Sequence, residues 1–391
     1  MTALKKISNI KMLIIAILTA NICNAQSPYI NRVYDYCPAP GQFINVLPKY
    51  VAGDTQQDMN FKAEECISGT NKVIISLGGY GGYIIFGFDH PVVNVQGEYD
   101  FKIFGNAFLS QSDGGNCEPG IVMVSYDTNG NGLPDDQWYE LAGSEYYKPE
   151  TVKNYVLTYH KPDEDKERVP MPGYPYINDM TYIKWESNQG EEGYMYRNTF
   201  HAQPYYPQWI NYETLTFEGS KLADNYVDIS GNGTNYIQYA FPYGYADNYP
   251  NTDSRSNFNI AWAVDETGKS VHLPAIHFVK VYTALNQYCG RLGETSTEIS
   301  GAEDLHPSAI FTSITQNSTA QNLMLFNNPV KGKIVIGNCC YEGNVEIYDT
   351  MGRVVHKVTM SSEKVIDISH LPDGIYYLRT CNKIEKVVKI N

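Results

Sequence analysis

The stretch that decides the fold runs from Ser76 to Leu141. It opens SLGGYGGYIIFGFDHPVVN (Ser76–Asn94), continues YDFKIFGNAF (Tyr99–Phe108) and closes EPGIVMVSYDTNGNGLPDDQWYEL (Glu118–Leu141). Short β-branched and aromatic runs alternate with turns of Gly, Asn, Asp and Pro, the pattern of consecutive strands. Strands are expected at Val73–Leu77, Tyr83–Phe88, Tyr99–Phe108, Ile121–Tyr126 and Trp138–Leu141. Gly78-Gly79-Tyr80-Gly81-Gly82 is followed by neither Lys-Ser/Thr nor a helical pattern. It therefore reads as a glycine-permitted hairpin turn rather than a phosphate loop.

Working outward, strand signals recur at Asn154–Tyr159, Thr181–Trp185, Thr214–Phe217, Tyr236–Phe241 and Ile276–Ala284, separated by long loops rich in Tyr, Pro, Asn and Asp. Residues 26–72 read as mixed and turn-rich, and no amphipathic helix of three turns stands out. The pattern predicts an all-β body, a large jelly-roll-like β-sandwich. The tetrapeptide Ala-Asp-Asn-Tyr occurs at Ala223–Tyr226 and Ala246–Tyr249 without matching flanks, so it reads as two similar turns and not as a repeat.

Both ends differ from this body. Lys5, Lys6 and Lys11 precede the apolar run Met12–Ala20, which is too short to span a bilayer, and Cys23-Asn24-Ala25 offers small residues for cleavage before Gln26. Residues 1–25 are thus expected to be a signal peptide, and 26–301 the binding body. Residues 302–322 are small, polar and aperiodic and read as a linker. Residues 323–391 hold six short strand signals, from Lys333–Ile336 to Val387–Ile390, and predict a small antiparallel β-sandwich.

The chain has 391 residues and a formal net charge of −14. The first 25 residues carry +3 and residues 323–391 carry +2, which leaves −19 on the segment between them. Such a body repels nucleic acid, so no nucleic-acid partner is expected. Tyr is overrepresented, with 33 against 14 Phe and 4 Trp, which suits half-exposed strands and wet binding surfaces. An exported chain can form disulfides, and Cys37, Cys66, Cys117 and Cys289 allow three pairings. Cys339, Cys340 and Cys381 leave an odd number near the C-terminus.

Two kinds of site are expected. In Asp127–Asp136, the residues Asp127, Asn129 and Asn131 alternate, Gly132 permits a sharp turn, and Asp135 and Asp136 follow. Ca²⁺ takes several hard oxygens of this kind. The twelfth position is Trp138 rather than Glu, so the loop is not an EF-hand, and Asp135 and Asp136 would close the shell. Asp224, Asp228, Asn232, Asp247, Asn248 and Asp253 also gather oxygens, although turn chemistry accounts for them. The second kind of site is aromatic. Tyr194, Tyr196, Tyr205, Tyr206, Trp209, Tyr243, Tyr245 and Tyr249 lie in loop-rich segments where rings can stack on a ligand or anchor the loops to the core. There is no His-Glu-x-x-His and no Gly-x-Ser-x-Gly. Glu118 and Glu145 are the acids considered for glycoside hydrolysis. No organic cofactor is evident.

Asn328-Pro329-Val330, Val345–Val355, Ile368–Tyr376 and the Lys386-Val-Val-Lys389-Ile ending run in order through the last unit. They resemble the type A sorting domain of the type IX secretion system of Bacteroidetes. The resemblance implies export by that machinery and release or attachment at the outer-membrane cell surface. In the body, Ser76–Gly82, Phe104–Phe108, Glu118–Gly120, Gly143–Tyr146, Phe278–Tyr282 and Gly293–Glu298 are similar to a family of exported cell-surface proteins of gut Bacteroidetes. Some of its members stand beside uptake systems for cobalamin. That implies capture of a corrinoid and an outer-membrane uptake transporter as partner. The residues themselves leave open a glycan ligand, or a glycosidase or esterase using scattered acids.

Overall fold

The computed structural model describes residues 26–309 and, beyond them, 324–325, 329–337, 343–350, 352–360, 365–379 and 384–390. The signal peptide expected at 1–25 and the cysteines Cys339, Cys340 and Cys381 lie outside the described residues. The chain divides into two compact units, 1–311 and 312–391. Among the described residues no helix is long and apolar enough to cross a membrane.

The first unit is all-β. Its largest sheet has six antiparallel strands in the order Arg32–Cys37, Tyr83–Val93, Ala275–Thr283, Gly120–Ser125, Trp138–Leu141 and Ala263–Val264. Its central strands read as near-continuous apolar runs because both faces are covered. Ile84, Phe86, Val122, Val124, Val279 and Val281 enter one core, together with Met59, Ala63 and Ile67 of a helix. Tyr83, Ile121, Met123 and Tyr282 enter another on the opposite face. There a four-stranded sheet follows, ordered Glu192–Asn198, Ile177–Ser187, Val152–His160 and Thr214–Lys221. The backbone N–H of Ser220 donates to the Tyr282 hydroxyl at 2.8 Å and ties the two sheets together. Smaller sheets close the ends, and one of them pairs Glu298–Ile299 with Ile75–Ser76.

Three expectations are corrected. The glycine cluster is no hairpin. Ile75–Ser76 and Tyr83–Val93 lie in different sheets, and the glycines let the crossing strand press against a neighbouring backbone. A Cβ on Gly78 would fall 2.0 Å from the Ala39 carbonyl oxygen, and one on Gly82 would fall 2.2 Å from the Ala39 nitrogen. Second, the turn-rich segment holds a three-turn helix, Gln56–Ile67. Thr55 and Asp58 form its capping box, an arrangement that offsets two orphan N–H groups. Only Met59, Ala63 and Ile67 are buried, one residue per turn, so the apolar stripe is too thin to show in the sequence. Third, Gly301–Asp304 is a strand paired with Phe101–Phe104, so the body runs past the point where the linker was expected to begin. Cys37, Cys66, Cys117 and Cys289 are all free.

The second unit packs a three-stranded sheet (Met324–Leu325, Lys333–Gly337, Val365–Asp367) and a four-stranded sheet (Val354–Met360, Gly343–Asp349, Gly374–Arg379, Ile384–Lys389). Val330, Ile334, Val345, Ile347, Ile366, Leu378 and Val387 fill its core.

Candidate functional site

Glu192–Asn198 is the free edge of the four-stranded sheet, and a cavity of about 310 Å³ opens along it. Trp185, Tyr194, Tyr196 and Tyr288 supply its rings, and Glu192, Asn286, Gln287 and Glu294 its polar groups. Trp185 pairs with Gly193 in the antiparallel register. Tyr196 and Tyr288 meet edge-to-face with centroids 4.8 Å apart, a favoured aromatic geometry. Tyr194 is exposed at the mouth.

Two buried polar atoms in this cavity's lining residues lack a partner, the Glu294 Oε2 and the Tyr288 hydroxyl. The other Glu294 oxygen, Oε1, accepts the backbone N–H of Gln42. Gly41 makes that approach possible, since a Cβ there would stand 2.8 Å from Oε1. Burial pushes the Glu294 carboxyl up to about 8, and the nearby Glu298 adds to the shift. At neutral pH the group is therefore mostly a neutral acid. With Oε1 accepting, its proton belongs on Oε2.

The first unit holds a second acidic feature. Carboxylate oxygens of Glu118, Asp247 and Glu298 come within 4.8 Å of one another. Asp247 accepts the backbone N–H groups of Asn106 at 2.7 Å, Ala107 at 2.8 Å and Glu298 at 2.9 Å. Asn116 donates to Glu118 at 2.9 Å, and the Ser296 hydroxyl donates to Glu298. Among the described residues no Lys, Arg or His forms an ion pair with the three. Burial raises all three carboxyls, Glu118 to about 8, and each also feels a neighbouring acid of the cluster. Three carboxyls this close, each raised by burial, hold protons at neutral pH. By donor type and spacing the cluster is able to hold a divalent cation in place of those protons.

The expected aromatic residues separate into three groups. Tyr194 and Tyr196 line the cavity. Tyr205 and Tyr206 are fully buried in the core beneath the four-stranded sheet. Trp209 stacks on Tyr36 and Tyr50 and donates its indole N–H to Gln56 at 3.0 Å. Tyr245 is buried and accepts the Glu145 N–H at 3.0 Å. Tyr249 is buried beneath the Arg255 guanidinium, 3.7 Å from the ring centroid. Tyr243 is exposed beside Trp262. Tyr205, Tyr206, Trp209, Tyr245 and Tyr249 thus anchor loops and do not join Tyr194 and Tyr196.

In the loop Asp127–Asp136 the side chains turn inward. Asp127 accepts the N–H groups of Gly130 at 2.7 Å, Asn131 at 3.1 Å and Gly132 at 2.9 Å. The Asn129 and Asn131 amides both reach Asp135, at 3.1 and 2.9 Å, and Asp136 accepts from Thr128 at 3.2 Å. All five expected residues therefore lie around one turn, and their oxygens suit a hard cation in type. The other acidic loops are spent on turns and pairs. Asp228 accepts from Ser230 and Gly233, Asp253 pairs with Arg255, and Asn248 bonds both backbone groups of Phe241.

Trp185, Tyr288 and Glu294 are among the cavity residues that the sequence did not single out as a site. The available signal was Gly293-Glu294-Thr295-Ser296-Thr297-Glu298, a polar run that proves to be buried.

Residues 324–390 match the family described as the secretion system C-terminal sorting domain. No curated protein matches the chain. The sorting domain makes this an exported cell-surface protein handled by type IX secretion machinery.

Proposed function

We propose that the exported body is a binding protein that captures an uncharged carbohydrate in the cleft of Trp185, Tyr194, Tyr196 and Tyr288. The observation that carries this reading is the pairing of four rings with two buried, unpartnered polar atoms, Glu294 Oε2 and the Tyr288 hydroxyl. Aromatic faces stack on sugar rings, and a few fixed polar groups set orientation. The net charge of −19 on the segment that contains the cleft favours a neutral ligand over an anionic one. At about 310 Å³ the cavity stands at the small end of ligand sites. That size suits one sugar ring of a longer glycan better than an enclosed corrin macrocycle, so the corrinoid ligand implied by resemblance becomes the comparison to be tested. Calcium at Asp127–Asp136 belongs to this proposal as a staple of the scaffold. An uptake transporter would receive the ligand at the cell surface.

The test is a glycan array on the mature protein, with calorimetry on cyanocobalamin alongside. Binding of a neutral glycan that W185A and Y194A both weaken supports the reading. Heat with cyanocobalamin and no array signal would replace it.

A further inference from the structure

The Glu294 carboxyl is held in one direction only. Its Oε1 accepts the Gln42 N–H, while its Oε2 is buried without a partner in a residue that lines the cleft. We propose that Glu294 is the specificity-determining group of the cleft, a neutral carboxylic acid whose Oε2–H donates to an acceptor oxygen of the sugar. This rests on the carbohydrate reading of the same site and adds the form of the acid and a pH gate. A carboxylate in that position offers no proton, and a ring or glycosidic oxygen has none either, so that oxygen would face a negative charge and binding would weaken.

The groups around Glu294 keep it protonated. Glu298 acts on it from the strand Glu298–Ile299, and burial dominates the shift to about 8. The Tyr159, Tyr205 and Tyr288 phenols, from three further segments, feel its charge and are themselves raised by burial. At the cleft, Glu192 pairs with Lys184 at 3.1 Å, so that lysine is already engaged. Nearby, Arg197 is engaged by Glu164 at 2.9 Å. Among the described residues no cation pairs with Glu294 itself.

The conservative variant E294Q separates charge from shape. Its amide oxygen can accept the Gln42 N–H and leave the NH₂ group as a donor that does not titrate. Calorimetry with cellotetraose, maltotetraose, mannotetraose and xylotetraose, on the mature protein and on E294Q, is run at pH 6.5 and 9.5. The wild type is expected to bind one of them at least about tenfold more weakly at pH 9.5, because the competent form is then a minor population. E294Q is expected to bind equally at both values. Equal binding by the wild type at both pH values overturns the proposal and leaves the carbohydrate reading standing. No binding of any tetrasaccharide at either pH overturns both. An infrared difference spectrum, wild type minus E294Q, reads the acid directly without ligand. It should show a protonated carboxyl band at pH 6.5 that is lost by pH 9.5, and absence of the band at pH 6.5 overturns the proposal.

Discussion

The indole of Trp185 lies across Gly193, its partner on the edge strand, so closely that a Cβ on Gly193 would fall 2.6 Å from Cζ2. The glycine leaves the strand without a side chain at that point, and the ring covers the gap. This fixes Trp185 as a wall of the cleft instead of a freely turning surface ring.

G193A therefore tests the wall. The added methyl group must push the indole aside. Overpacking of this kind costs about 1–3 kcal/mol, and an edge strand has room to yield. The melting temperature should fall by about 2–6 °C, while glycan affinity falls about tenfold as the stacking surface tilts. Calorimetry and thermal melts on the same sample check the two together. A G193A variant that binds like the wild type would remove Trp185 from the binding surface.

The cluster of Glu118, Asp247 and Glu298 sets a pH dependence of stability. All three carboxyls are raised above their ordinary values near 4, Glu118 to about 8. The folded protein therefore holds protons that the unfolded chain releases, and stability falls as pH rises from about 4.5 through about 8. Acids held low by partners, such as Asp54 beside Lys62 and Asp253 beside Arg255, lose their contribution only below that window. Calorimetry should find a melting temperature at pH 5.5 higher than at pH 8.5 by about 5 °C or more. E118Q, which removes one titrating group, should flatten the slope. A melting temperature that rises across the window would mean that the cluster is ionised and held by a cation.

The same cluster marks where the sequence stops being readable. Most of the strand Tyr83–Val93 was legible, over Tyr83–Phe88, because apolar residues and turn formers alternate at strand spacing. The run Glu294–Glu298 is polar at every position and reads as a surface loop. It is buried by partners far away in the chain, as with Gln42, 252 residues from Glu294. The tyrosines failed for a different reason. Tyr194 and Tyr205 are the same residue type in similar company, yet one is exposed and the other fully buried. Tyr suits both roles, since its ring packs in a core once its hydroxyl finds a partner. Tyr205 finds one in the Asn198 N–H.

The sorting domain predicts the route of the protein independently of its ligand. Residues 324–390 carry the family match, and their own core belongs to a separate compact unit. Deleting 323–391 should leave the body folded and trapped in the periplasm. Surface proteolysis of intact cells and fractionation check this. Continued display of the truncated body would overturn the assignment of that unit as the export address.

Calcium is expected to act on one loop and through it on the strands beside it. Asp127 follows Gly120–Ser125 closely and Asp136 precedes Trp138–Leu141, so the turn joins two neighbours of the six-stranded sheet. The Asp127 carboxylate accepts three backbone N–H groups of its own turn, and Asp135 accepts two amides. A bound cation would turn the Asn129 and Asn131 amide oxygens inward and draw Asp135 and Asp136 onto itself. The melting temperature in 1 mM calcium should then exceed that in chelator, because any ligand that binds only the folded state adds RT ln(1 + [L]/Kd). At one hundred times Kd that is about 2.7 kcal/mol, or roughly 5 °C. D127N together with D135N should abolish the difference and leave glycan binding unchanged, since neither residue lines the cleft. An equal melting temperature with and without chelator would reduce the loop to a turn held by its own hydrogen bonds.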